Sequence, residues 1–150
     1  MPFRIRFLPA TEPGAMSVTT DRLGDILLGE ECEEFVSQIG YWRPQDYEKQ
    51  WREGLMRAAI ARLQSCLITS IHDPAVADVA TWWLLYPKGD TIQVQNALLR
   101  LDLHRAEFSI ANPYSCIPSH RSVTDDGYSI SEWSIGIDDI RAAIDARTGS

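Results

Sequence analysis

Three places in this chain carry side chains of the types that hydrolytic or metal chemistry uses. His72-Asp73, and Ser119-His120 with Asp125-Asp126, supply the members of a nucleophile, base and acid relay. Such a relay needs hydroxyl, imidazole and carboxylate within hydrogen-bond reach. No nucleophile elbow or glycine-rich oxyanion loop accompanies these residues to enforce that. They read as loop residues, and a small hydrolase using His72 or His120 with a nearby acid stays as a rival. His104 has Asp102 beside it but no metal-ligand type four positions on, and that pair alone cannot complete a tetrahedral set. Cys32, Cys66 and Cys116 are odd in number, far apart and without a CxxC pairing, which opposes both a disulfide framework and a zinc site. Gly24, Gly29, Gly40 and Gly54 stand singly, so nothing resembles a phosphate-cradling loop. The expectation is a protein with no cofactor, no metal and no enzymatic activity.

The acids are more telling than the histidines. Glu30-Glu31-Cys32-Glu33-Glu34 offers four carboxylates, but consecutive acids diverge in direction and lack the Asp/Gly ladder of a calcium loop. A solvated charged edge is the plain reading; a patch that steers a cationic protein partner is the sharper one. Of the formal charge of −7, residues 21–53 hold nine acids against four bases and residues 125–145 six acids against one. Both blocks repel phosphate, which opposes direct binding of nucleic acid and favours a basic partner. No run of 18 apolar residues exists, and the first nine residues have no signal-peptide core, so the expected location is the cytoplasm, with no membrane contact.

These side chains need a scaffold, and 150 residues suit one domain with a single core. Phe3-Arg4-Ile5-Arg6-Phe7 alternates with period two, predicting a strand that Pro9 and Pro13-Gly14 end. Residues 23–28 and 31–36 predict a hairpin turning near Gly29-Glu30, although Cys32, Phe35, Val36 and Ile39 also fit a helix over 30–39. Pro44 suits a first helical position, with Asp46 and Glu48 at the positive end of the dipole. Tyr47, Trp51, Leu55, Ala58, Ala59, Arg62 and Leu63 then line one face of a helix running to about Gln64. Gly54 inside it marks a close approach to another element.

Residues 66–71 read as a strand beside a hairpin over 79–98 that turns at Pro87-Lys88-Gly89-Asp90. Residues 99–118 read as an irregular cover, Asp125-Asp126-Gly127 as a turn, residues 128–135 as a last strand, and Ile137, Ile140 and Ile144 as a short closing helix. The fold class predicted is α+β: a mainly antiparallel sheet packed against one long helix, with a short C-terminal helix. Trp51, Trp82 and Trp83 are expected in the core, and Trp42 and Trp133 as exposed anchors.

The pattern Tyr-Trp-x-x-x-Asp-Tyr-x-x-Gln-Trp-x-x-Gly-Leu, from Tyr41 to Leu55, resembles bacterial contact-dependent growth inhibition immunity proteins. Leu67-Ile68-Thr69-Ser70 with Asp73-Pro74, Trp82-Trp83-Leu84-Leu85-Tyr86, Val94-Gln95-Asn96, Asn112-Pro113-Tyr114 with Ile117-Pro118, and Ile130-Ser131-Glu132-Trp133 extend the resemblance over about residues 22–140. It implies a small cytosolic protein that binds the toxin domain delivered by a neighbouring cell, commonly a nuclease, and blocks its active site. A basic nuclease meets an acidic inhibitor favourably. The motif residues are mostly aromatic and apolar and read as scaffold. The expected toxin contacts are therefore Glu30, Glu31, Glu33, Glu34, Asp125 and Asp126. An adaptor pairing a free sheet edge with a peptide is the third reading.

Overall fold

The alternation at the start of the chain becomes strand β1 (Phe3–Phe7), with Phe3 and Ile5 buried. This computed structural model describes residues 2–9 and 21–148, so the turn expected at Pro13-Gly14 lies outside the described residues. β1 pairs antiparallel with β2 (Asp21–Leu28), and β2 with β3 (Glu31–Gln38). The reversal falls at Gly29-Glu30, where Gly29 takes φ 72°, a conformation open to glycine at no steric cost. The hairpin reading holds and the helix over 30–39 is excluded.

A second sheet follows the order β4 (Ser65–Ser70), β5 (Val79–Lys88), β6 (Thr91–Arg100) and β7 (Glu132–Gly136), every pair antiparallel. The expected sheet is thus divided in two. The β5–β6 hairpin turns at Gly89-Asp90 alone, because Pro87 and Lys88 still pair with Ile92 and Thr91. β7 starts later than expected: residues 128–130 fold back on 122–124, with Thr124 N–H donating to Tyr128 O at 2.8 Å and Ile130 N–H to Ser122 O at 2.9 Å.

The long helix α1 (Pro44–Ala59) begins where Pro44 predicts, with the Arg43 N–H donating to Asp46 Oδ2 at 2.9 Å. It ends a turn before Gln64. Arg62 takes φ 58° and both Arg62 and Leu63 are exposed, so the buried face stops at Ala59. The closing helix α2 (Ile137–Thr148) buries Ile137, Ile140 and Ile144 as expected. One apolar cluster joins Ile5 and Ile26 of the first sheet, Leu67, Leu85 and Val94 of the second, Trp51 and Ile140.

Helix α1 does more than cover β4; its polar side chains complete that strand's hydrogen bonding. Gln50 lies buried, donating from Nε2 to Cys66 O at 2.8 Å and accepting at Oε1 from Ile68 N–H at 2.7 Å. Trp51 Nε1 donates to Ile68 O at 2.6 Å, and Ser65 Oγ donates back to Gly54 O at 2.7 Å. A Cβ on Gly54 would collide with the Cys66 carbonyl, which is the close approach its sequence position suggested. Tyr47 ties the sheets together, its hydroxyl donating to Gln38 O at 2.6 Å and accepting from Ile71 N–H at 2.9 Å. Nearby, Ser37 Oγ donates to Thr69 O, and Gln38 N–H to Ser70 Oγ at 3.1 Å. The edge of β4 that β5 leaves free is therefore satisfied by side chains, as buried backbone groups must be.

Candidate functional site

The β2–β3 turn carries Glu30, Glu31, Glu33 and Glu34 to the surface, and all four are exposed. Strand alternation separates them. Glu31 and Glu33 lie opposite Leu28 and Ile26, on the face of Phe35, whereas Glu34 lies opposite Asp25. Like charges in register repel, but Asp25 is buried against Arg6 at 3.1 Å and Arg4 at 3.5 Å, which offsets its charge. Glu31 then reaches the second sheet: Trp133 Nε1 donates to its Oε2 at 2.8 Å. Trp133 is half-buried, with its ring 5.6 Å from that of Trp83, and Trp42 is half-buried against Tyr47 at 5.1 Å. Neither is the exposed anchor the sequence suggested, because each has an aromatic neighbour to lean on.

Between this hairpin and the second sheet lies a cleft of about 520 Å³, lined among others by Glu33, Gln95, Leu98, Arg121, Thr124 and Trp133. Its floor is the part of β6 beyond Gln95, where the ladder to β7 has ended at Glu132. Leu98 is 64% exposed there, although alternation places it on the face of buried Ile92 and Val94. Its opposite wall is the fold-back of residues 122–130. At the tip of that wall stand Asp125 and Asp126, with Gly127 at φ 86° closing the turn. Asp125 accepts from Arg121 Nη1 at 2.8 Å, so part of its charge is neutralised; Asp126 is exposed. A hollow of similar size, about 530 Å³, lies between β1 and α2, but Arg4 and Arg6 balance Glu48 and Asp139 at its rim.

The wall is fastened by a polar network. His120 Nε2 lies 2.5 Å from Glu132 Oε1, which also accepts from Gln95 Nε2 at 2.9 Å; the same amide donates to Arg121 O at 2.8 Å. Tyr86 packs edge-on against His120 at 4.9 Å and donates its hydroxyl to Pro118 O at 2.9 Å. Burial pushes the Tyr86 phenol up to about 12. The acid that meets His120 is thus Glu132, not Asp125 or Asp126. Among the described residues no serine or threonine hydroxyl bonds the His120 ring, and no hydrogen bond joins His72 to this network. Among the described residues, the relay of the rival hydrolase reading is not assembled. His104, for its part, meets not Asp102, which pairs with Arg100 at 2.7 Å, but Glu107 at 3.4 Å.

Sequence reasoning missed Arg121, Gln95 and the Glu31–Trp133 bond. Gln95 gave no local signal, because alternation places it with Thr91 and Gln93 on the polar side of β6, and only the packed structure shows it buried. No helix among the described residues is long and apolar enough to cross a membrane.

Two antiparallel sheets, a long helix bonded to the edge of one of them and a short closing helix define an α+β fold. The structure is similar to a chain of the CdiA-CT/CdiI toxin and immunity complex from Enterobacter cloacae, with a TM-score of 0.84, 24% identity, and 99% of each chain covered. The family model for the CdiI N-terminal domain matches residues 37–143, and the chain belongs to that family of contact-dependent growth inhibition immunity proteins. No match was found among curated proteins. The matched segment begins at Ser37 inside β3, so β1, β2 and the acidic turn precede it.

Proposed function

We propose that this chain acts as one domain over residues 1–150 that binds and neutralises the toxin domain of its own contact-dependent growth inhibition system, in the cytoplasm and without catalysis. Family membership and the likeness to a chain of a toxin and immunity complex support this reading. The observation that carries the site is one cleft bordered by two segments remote in sequence: Glu33 of the acidic hairpin on one side, and on the other Arg121 and Thr124 of the fold-back whose tip bears Asp125 and Asp126; Glu30, Glu31 and Glu34 are the exposed neighbours of Glu33 on the hairpin. The partner that fits is a basic domain, and a nuclease is basic because it holds nucleic acid. Negative side chains on a stiff support compete for that surface. The test mixes the purified protein with the toxin encoded beside it and follows complex formation and toxin activity. Tight equimolar binding with loss of activity is expected, and no complex at micromolar concentration ends the proposal.

The His120–Glu132 contact favours a second reading, a small hydrolase. Glu132 is shared with Gln95 and no hydroxyl nucleophile among the described residues is aligned, so the pair reads as a fastening of the cleft wall. Turnover of ester or phosphodiester substrates by the purified chain, abolished by His120→Ala, would establish the hydrolase instead.

A further inference from the structure

Residues 101–116 leave β6, make a turn and end in a short 3-10 turn (Pro113–Cys116). Within the first turn Glu107 N–H donates to His104 O at 2.9 Å and Phe108 N–H to the same carbonyl at 2.7 Å. This helical spacing puts the His104 and Glu107 side chains on one side, as positions three apart require. Cys116 returns to meet them, so that one donor atom from each of His104, Glu107 and Cys116 lies within 4.8 Å of the others.

We infer that His104, Glu107 and Cys116 form a binding site for a zinc-class divalent cation, with water in the fourth position. Bonds of about 2.0–2.3 Å in a tetrahedral set place ligand atoms about 3.3–3.8 Å apart. His104 Nδ1 and Glu107 Oε2 already stand 3.4 Å apart, and the Cys116 sulfur lies within 4.8 Å of both donor groups. A nitrogen, sulfur and carboxylate set selects zinc or cobalt over magnesium or calcium, which take oxygen. The electrostatics agree: a thiolate and a carboxylate cancel a doubly charged ion, leaving a neutral unit beside the buried Cys116. Arg105, the cation between the ligands in sequence, is turned away, donating to Pro74 O at 2.7 Å and Ala77 O at 3.2 Å. A bound ion would pin the irregular cover to the sheet beneath it.

The experiment strips the full-length protein with a chelator and titrates it with cobalt(II), reading the thiolate-to-cobalt charge-transfer absorption. Saturation at equimolar cobalt, displaced by zinc, is expected. Cys116→Ser removes the band, Cys32→Ser leaves it, and Glu107→Gln, at an exposed position that does not threaten folding, weakens affinity about tenfold or more. No band at millimolar cobalt, a band that survives Cys116→Ser, or unchanged affinity in Glu107→Gln each overturns the inference.

Discussion

Trp133 Nε1 donates to Glu31 Oε2 at 2.8 Å across 102 positions of sequence, and this bond joins β7 to the acidic hairpin. It holds one carboxylate of the patch in place and leaves Glu33 and Glu34 to solvent. Trp133→Phe keeps the packing on Trp83 and deletes the donor. The expected loss is about 1 kcal/mol in a urea titration, the ordinary net worth of a hydrogen bond outside the core. An unchanged midpoint would mean that water replaces the indole without cost.

Gln50 replaces a neighbouring strand for β4 with its single amide. In Gln50→Leu both the Cys66 carbonyl and the Ile68 N–H lose their partner in a buried place, which costs about 2–4 kcal/mol. Chemical denaturation measures it, and a loss below about 1 kcal/mol would show that the amide is dispensable.

Charge reversal at Glu31, Glu33 and Glu34 to Lys should slow toxin association about tenfold or more at low salt and flatten its salt dependence. Asp125→Asn should act more weakly than Asp126→Asn, because Arg121 already offsets Asp125. Stopped-flow rates at several ionic strengths decide both; an association rate indifferent to the triple reversal returns the hairpin to mere solubility.

Burial raises the phenols of Tyr47 and Tyr86 from 10.0 to about 12. The unfolded chain loses these protons first as pH rises, so stability is complete below pH 10 and falls as pH climbs toward about 12. Urea midpoints should drop through that window, and less steeply in Tyr86→Phe than in the parent. Equal slopes would place the alkaline transition elsewhere.

Local signals exposed much of the scaffold. Period-two alternation located β1, the Gly29-Glu30 turn divided β2 from β3, and Pro44 opened α1. What escaped depends on partners supplied by distant chain. Helical spacing carried Arg62 and Leu63 past the true end because nothing local announces that Arg62 turns left-handed. Leu98 shares a face with Val94, yet it is exposed because β7 stops short of it. Residues 128–131 have strand character without a neighbouring strand, so they close a wall instead. The acidic residues were legible as a patch; that Glu33 and the fold-back bearing Asp125 and Asp126 border one cleft is a property of the packed sheets alone.

The walls of that cleft come from the early hairpin and the late fold-back, which meet only while both sheets are assembled. A toxin gripping both walls would act as a clasp: every molecule of complex removes one from the pool able to unfold, lifting the melting temperature in proportion to the logarithm of toxin concentration. Protection and durability would then rise together, and a cell short of toxin would hold its immunity protein in its least durable state.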